Sequence, residues 1–343
     1  MMVRLTMFVA LLIAGVTPFF PASAKASAGL AEAPEARRAQ GAGSGARVAG
    51  TPSAAFDVRA FGAKGDGATL DTDAINKAIA AAHAAGGGTV RVPAGSYLST
   101  SIHLQSNVGL FIDHGATIVA ADTMTGPYDE PEPNGADRYQ DFGHSHWHNA
   151  LMWGDGIENV SISGPGVIHG KGLVRNHNDS TPRGSGDKAI SLKNSRNVVI
   201  RDISILHGGW FAILATGADN LTIDNIKIDT NRDGIDVDAC RNARISNATI
   251  ISPFDFGNIP AYGLYARYVN GLTVHDVQFT VDNADARPAV RLDDVGRGDL
   301  DHVVAPHGAA GSLFVLRRVT DFLLRNSPGV PDVKRTSVER ESF

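Results

Sequence analysis

Three aspartates sit close together in Asn231-Arg232-Asp233-Gly234-Ile235-Asp236-Val237-Asp238-Ala239-Cys240, and a fourth, Asp255, follows Asp233 by 22 residues. Paired carboxyl groups are what hydrolysis of a glycosidic bond needs: one gives a proton to the leaving oxygen, the other activates water. An aspartate in such a stretch equally serves as a turn residue that bonds its own backbone. Strand alternation against Ile235 and Val237 turns Asp236 and Asp238 outward, and Asp238 reads as part of a solvated face. The chemistry therefore depends on the element that carries these residues.

That element is a repeat. Asn159-Val160-Ser161-Ile162, Asn197-Val198-Val199-Ile200, Asn220-Leu221-Thr222-Ile223 and Asn242-Ala243-Arg244-Ile245 share one pattern, with steps of 23 and 22 residues between the last three. Asn107-Val108-Gly109-Leu110 is an earlier copy, and Asn270-Gly271-Leu272-Thr273-Val274 a later one with an extra residue. A second short apolar strand follows, as in Asn225-Ile226-Lys227-Ile228. Short alternating strands punctuated by Asn and Gly at this period predict an all-β, right-handed parallel β-helix, each coil burying its apolar face on its neighbours. A leucine-rich repeat has a similar period, but its Leu-x-x-Leu-x-Leu frame is absent, and a β-sandwich would show irregular turn spacing. If one coil separates Asp233 from Asp255, the two stack at about one strand spacing, ~4.8 Å. Upstream, Asp71 to Ala85 is Ala-rich with Ile75 and Ile79 at helical spacing and ends at Gly86-Gly87-Gly88, a helix suited to cap the open end of a solenoid.

Composition bounds the rest. The chain has 343 residues, 43% of them hydrophobic, and a formal charge of -5, so bulk charge attracts neither nucleic acid nor another polyanion. Arg4, the apolar run Leu5–Phe20 and Ala22-Ser23-Ala24 predict a signal peptide over 1–24, hence a secreted or periplasmic protein without a membrane span after cleavage. Residues 25–53 are Ala/Gly/Ser/Arg-rich and predict a disordered linker. The β-helix is expected over 54–327, and the polar stretch 328–343 as a flexible tail. Cys240 is the single cysteine, so no internal disulfide forms; without a sequence-adjacent His, a buried structural thiol is expected.

With these residues in view, the chain resembles glycoside hydrolase family 28, the polygalacturonases and rhamnogalacturonases. Phe56-Asp57-Val58-Arg59-Ala60-Phe61-Gly62-Ala63-Lys64-Gly65-Asp66-Gly67 and Gly87-Gly88-Thr89-Val90-Arg91-Val92-Pro93-Ala94-Gly95-Ser96-Tyr97 are similar to the opening of pectate-lyase-type β-helices, and specify fold more than activity. Asn231-Arg232-Asp233 resembles the family's Asn-x-Asp catalytic motif, and Ser252-Pro253-Phe254-Asp255 the start of its Asp-Asp motif. The resemblance implies inverting hydrolysis of a pectin-type polysaccharide (galacturonan or rhamnogalacturonan) without a cofactor or metal, by a monomer, with Asp233 and Asp255 as the water-activating pair. Departures accompany it. Phe256 stands where the family's general acid would be, and no Gly-His-Gly or Arg-Ile-Lys occurs downstream. Gly257-Asn258-Ile259-Pro260-Ala261-Tyr262-Gly263-Leu264-Tyr265 resembles the family's C-terminal coils, which implies an internal deletion near Asp255–Phe256 and impaired activity.

The substrate-binding candidates are Asn231, Asp236, Trp210, His207 and His146. Trp210 lies one coil before Asp233, where its face suits a sugar ring or plain packing, and His207 sits beside Gly208-Gly209. In His144-Ser145-His146-Trp147-His148, strand alternation puts three imidazoles on one face, suited to a cleft rim or to Zn. Arg287–Asp294 and Arg297-Gly298-Asp299 read as coil turns. Two further functions stay open: a non-catalytic carbohydrate-binding β-helix or decayed enzyme, and a polysaccharide lyase on the same fold.

Overall fold

A computed structural model describes residues 55–133, 142–178, 180–230, 232–252, 261–281, 287–306 and 312–343. The expected signal peptide, the whole of the linker, Asn231, Asp255 and Phe256 lie outside the described residues. Among the described residues no helix is long and apolar enough to cross a membrane.

The short strands stack in register into three columns of parallel pairs, forming a right-handed β-helix. One column runs through Ala150–Asp155, Lys188–Lys193, Phe211–Thr216, Asp233–Asp238, Leu264–Arg267, Val290–Asp293 and the start of Phe314–Arg325. Inward side chains of the columns meet in one core, where residues such as Ile190, Ile213 and Ile235 have no exposed surface. The predicted cap is the helix Thr72–Ala84, which buries Ile75, Ala78 and Ile79.

The repeated asparagine has two physical roles. Asn107, Asn159, Asn197, Asn220 and Asn242 hold φ between 53° and 65°, the left-handed region that asparagine tolerates better than other side chains. Their amides also form a ladder, Nδ2 of each donating to Oδ1 of the one before at 2.9–3.0 Å. Asn197→Ala removes two rungs and leaves a β-carbon at φ 54°. A loss of about 2 kcal/mol in denaturant unfolding is expected, with Asn197→Gly losing less because glycine accepts that φ freely.

Two expectations are corrected. The stretch predicted as a tail contains a strand, Val333–Ser342, antiparallel to Phe314–Arg325, with Val333 and Val338 buried. Its polar composition is that of an edge strand, where Lys, Arg and Glu discourage further pairing. The 22-residue coil step also fails after Asp233: Ile235 pairs with Leu264, a step of 29. Continued two residues back, that register sets Tyr262 opposite Asp233, seven residues beyond Asp255. The column nevertheless passes from Asp233–Asp238 to Leu264–Arg267 without losing its parallel pairing, as expected of a solenoid whose coils contact only their neighbours.

Candidate carboxyl centre

Strict alternation would set Asp233 and Asp236, three residues apart, on opposite faces. The strands of this column begin differently. Ala189-Ile190 and Ala212-Ile213 both enter the core as consecutive pairs, while Phe211 and Leu214 pack together in a separate outer cluster with Trp147 and Trp210. Asp233 pairs in register with Phe211, Ile235 with Ile213 and Asp236 with Leu214. Asp233 and Asp236 therefore share the outer face. Gly234 takes the inward position that alanine holds in the two preceding coils. A β-carbon there would lie 2.8 Å from Ile250 and 3.1 Å from the Gly263 carbonyl, so the Asp-Gly sequence is a packing requirement.

This outer face is covered by protein. Phe142–Ser145 form a short helical turn over Trp210 and Phe211, so close that a β-carbon on Gly143 would lie 2.7 Å from the Phe211 ring. Trp147 Nε1 donates to Thr216 Oγ1 at 3.0 Å, and Glu132 accepts from the Trp147 and His148 amides. Beneath this roof Asp233 and Asp236 are 4% and 5% exposed, so both carboxyls are largely shielded from solvent.

His144, read from the sequence only as one of three imidazoles suited to a cleft rim or to Zn, joins the carboxyl pair. Its Nε2 lies 3.0 Å from Asp236 Oδ2, both side chains being buried, and its ring meets Phe211 edge-on at 4.7 Å. Asp233 differs from its neighbour: neither of its carboxylate oxygens has a hydrogen-bond partner among the described residues. The Arg232 Nε is 4.0 Å away, and the Arg232 guanidinium lies over the Trp210 ring at 4.2 Å. Burial first, and then the nearby Asp236 charge, push the Asp233 carboxyl well above the ordinary carboxylate range, against the opposing pull of Arg232, His144 and Arg287. Burial thus favours the protonated form of Asp233 in the folded chain.

The other candidates fall elsewhere. Asp238, expected to be solvated, is buried and bonded by Arg267 through two contacts at 2.8 and 2.7 Å; the next coil supplies the cation that makes the outer face habitable for a charge. Trp210 is buried against Arg232 and Phe211 and offers no open platform. His146 is buried, its ring stacked on Phe142 at 4.1 Å and its Nδ1 3.0 Å from the Phe142 carbonyl oxygen. His207 sits at a corner with φ 54°, beside His169 at 5.1 Å, and among the described contacts it does not join the carboxyl pair. The three imidazoles expected on one face point three ways, because Phe142–Ser145 is helical: His144 to Asp236, His146 to Phe142, His148 onto Trp153 at 4.0 Å. The Cys240 thiol is buried, accepts from the Ala218 amide at 3.2 Å, and is pushed up to about 12 chiefly by burial.

Fold and site together define a parallel β-helix with a roofed carboxyl pair on one outer face. A family 28 exopolygalacturonase from Yersinia enterocolitica shares this fold, with a TM-score of 0.54 at 15% identity, covering 77% of this chain and 68% of that one. The model of glycosyl hydrolases family 28 matches residues 87–259, half of the sequence, and the chain belongs to that family. It is similar to a "Probable polygalacturonase" of Vitis vinifera, 29% identical over 208 residues, 57% of this chain and 42% of the relative. A 66-residue stretch, 19% of this chain, is 52% identical to "Alginate lyase 7" of Azotobacter vinelandii, of which it covers 8%. The chain thus spans less than half the length of either curated relative.

Proposed function

We propose that this chain is an exported, pectin-type member of the glycosidase family whose own turnover is impaired. The observation that carries the reading is the burial of both Asp233 oxygens: a carboxyl that must touch a glycosidic oxygen or a water is sealed under Trp210, Arg232 and the Phe142–His148 segment. Asp233, beside Asp236 oriented by His144, would help to activate water when the roof opens, a role that the proton favoured by its burial opposes. Asn231 and Asp255 remain candidates beside them.

Phe256 at the position of the family's acid, and the missing basic motif, favour impairment independently, since a general acid contributes about 10²–10⁴-fold in rate. Reducing-sugar release from polygalacturonate and rhamnogalacturonan tests the reading. A trace release that disappears in Asp233→Ala supports it. Release at a typical enzymatic rate, about 10 per second, contradicts the impairment. Release no greater than that of Asp233→Ala leaves the non-catalytic, carbohydrate-binding alternative, which predicts binding without turnover.

A further inference from the structure

We propose that Arg291, Arg317 and Arg340 form a binding subsite for a carboxylated polysaccharide at the C-terminal end of the face that carries Asp236. The inference rests on the reading of the chain as a polyuronate-handling β-helix, and it does not require turnover.

The register lays out the path. Asp236 pairs with Tyr265 and Tyr265 with Arg291; alongside, Asp238 pairs with Arg267, Arg267 with Asp293 and Asp293 with Arg317. Asp238 and Arg317 are thus three strand steps apart, about 14 Å along the solenoid axis. N-terminal of Asp236 the face is roofed by Phe142–His148, and its Ser191 and Leu214 are fully buried. In the C-terminal direction it opens: the Arg291 side chain is about one-third exposed, and Arg317 and Arg340 are exposed.

There the two arginines meet in an unusual way. Arg317 and Arg340 stand directly opposite each other across the antiparallel pair, an arrangement of like charges that costs stability unless something answers it. A cavity of about 370 Å³ lies at this point, lined by Arg291, Val315, Leu316, Arg317, Glu339 and Arg340. The nearby carboxylates are largely committed elsewhere. Asp293 accepts from Arg291 and from the Tyr265 hydroxyl, and Asp294 pairs with Arg318 while also acting electrostatically on Arg317. Glu339 lines the cavity and also acts electrostatically on Arg318. Neither Arg317 nor Arg340 has a carboxylate in ion-pair distance among the described residues. Guanidinium groups bind carboxylates through paired N–H donors, and the β-strand spacing along the axis is comparable to one pyranose ring, so successive uronates can meet successive arginines. The cations come from the C-terminal coils and the edge strand, a different part of the chain from the family's missing basic motif.

The test is the affinity of the full chain for polygalacturonate, by calorimetry with oligogalacturonate and by electrophoresis in polygalacturonate gels. Arg317→Ala and Arg340→Ala are each expected to weaken binding about tenfold, and both together further. Neither variant is expected to lower the melting temperature, because the opposed charges are relieved. Arg317→Lys/Arg340→Lys should retain part of the affinity, and wild-type binding should fall with added salt. Wild-type affinity surviving in Arg317→Ala/Arg340→Ala overturns the subsite while leaving the polyuronate reading intact. Failure of the wild type to bind polygalacturonate removes that reading and the subsite with it. Equal binding of neutral dextran, or tighter binding of a sulfated galactan, overturns the carboxylate assignment.

Discussion

Asp233→Asn is expected to raise the stability of the protein at pH 7 and to leave it nearly unchanged at pH 4. The sign follows from which state holds the proton. Asp233 has its carboxyl raised in the folded chain by burial and by Asp236; unfolded, it ionises in the ordinary range. Between those two values the folded state binds more protons than the unfolded state, so stability falls as pH rises. Below the unfolded value both states are protonated and the penalty vanishes. Asparagine carries no charge at any of these pH values, so its advantage opens as pH climbs through and beyond the ordinary carboxylate range. Each tenfold gain in proton affinity on folding corresponds to about 1.4 kcal/mol, and about 1 kcal/mol moves the melting temperature of a chain this size by roughly 2 °C. Thermal melts of both proteins from pH 4 to pH 8 check the prediction. Parallel curves at constant separation would show that Asp233 ionises normally. The groups that face it, Asp236, Arg232, His144 and Arg287, are unchanged in the variant, so the difference curve reports the Asp233 carboxyl in its native surroundings.

The second large effect lies on the same strand. Arg267→Ala is expected to destabilise the protein by about 3–5 kcal/mol, on the order of 10 °C in melting temperature. Arg267 holds both oxygens of Asp238, whose side chain is 6% exposed, and removing the cation strands a buried carboxylate. The charge is the cause, so Asp238→Asn in the Arg267→Ala background should recover much of the loss. A double variant as unstable as Arg267→Ala alone would assign the loss instead to packing of the guanidinium against Tyr265 and Tyr268.

These two residues also show where sequence reading stops. The β-helix is legible because its signal is local and repeated: the asparagines sit at fixed intervals, and their left-handed turns and amide ladder both follow from that side chain. Asp233 is legible as a candidate through its motif. The orientation of Asp236 and Asp238 is legible only as far as Cβ direction, because a solenoid's outer face is not necessarily solvent. Here it is covered by a segment about 90 residues earlier in the chain, and His144 reaches Asp236 from that segment with no spacing signal to announce it. Arg267 arrives from the next coil, 29 residues on. The 22-residue step that holds from Asn220 to Asn242 does not carry from Ile235 to Leu264, where the coil is seven residues longer. Val333–Ser342 reads as a tail because a strand guarding an edge has the composition of a loop.

The most direct measurement is proton NMR of polygalacturonate incubated with the protein, following product identity and rate together. Slow accumulation of saturated oligogalacturonides with inverted anomeric configuration is expected, at least about 10²-fold below a typical enzymatic rate, and none with Asp233→Asn. Turnover at a typical rate, or products carrying an unsaturated ring, would contradict it.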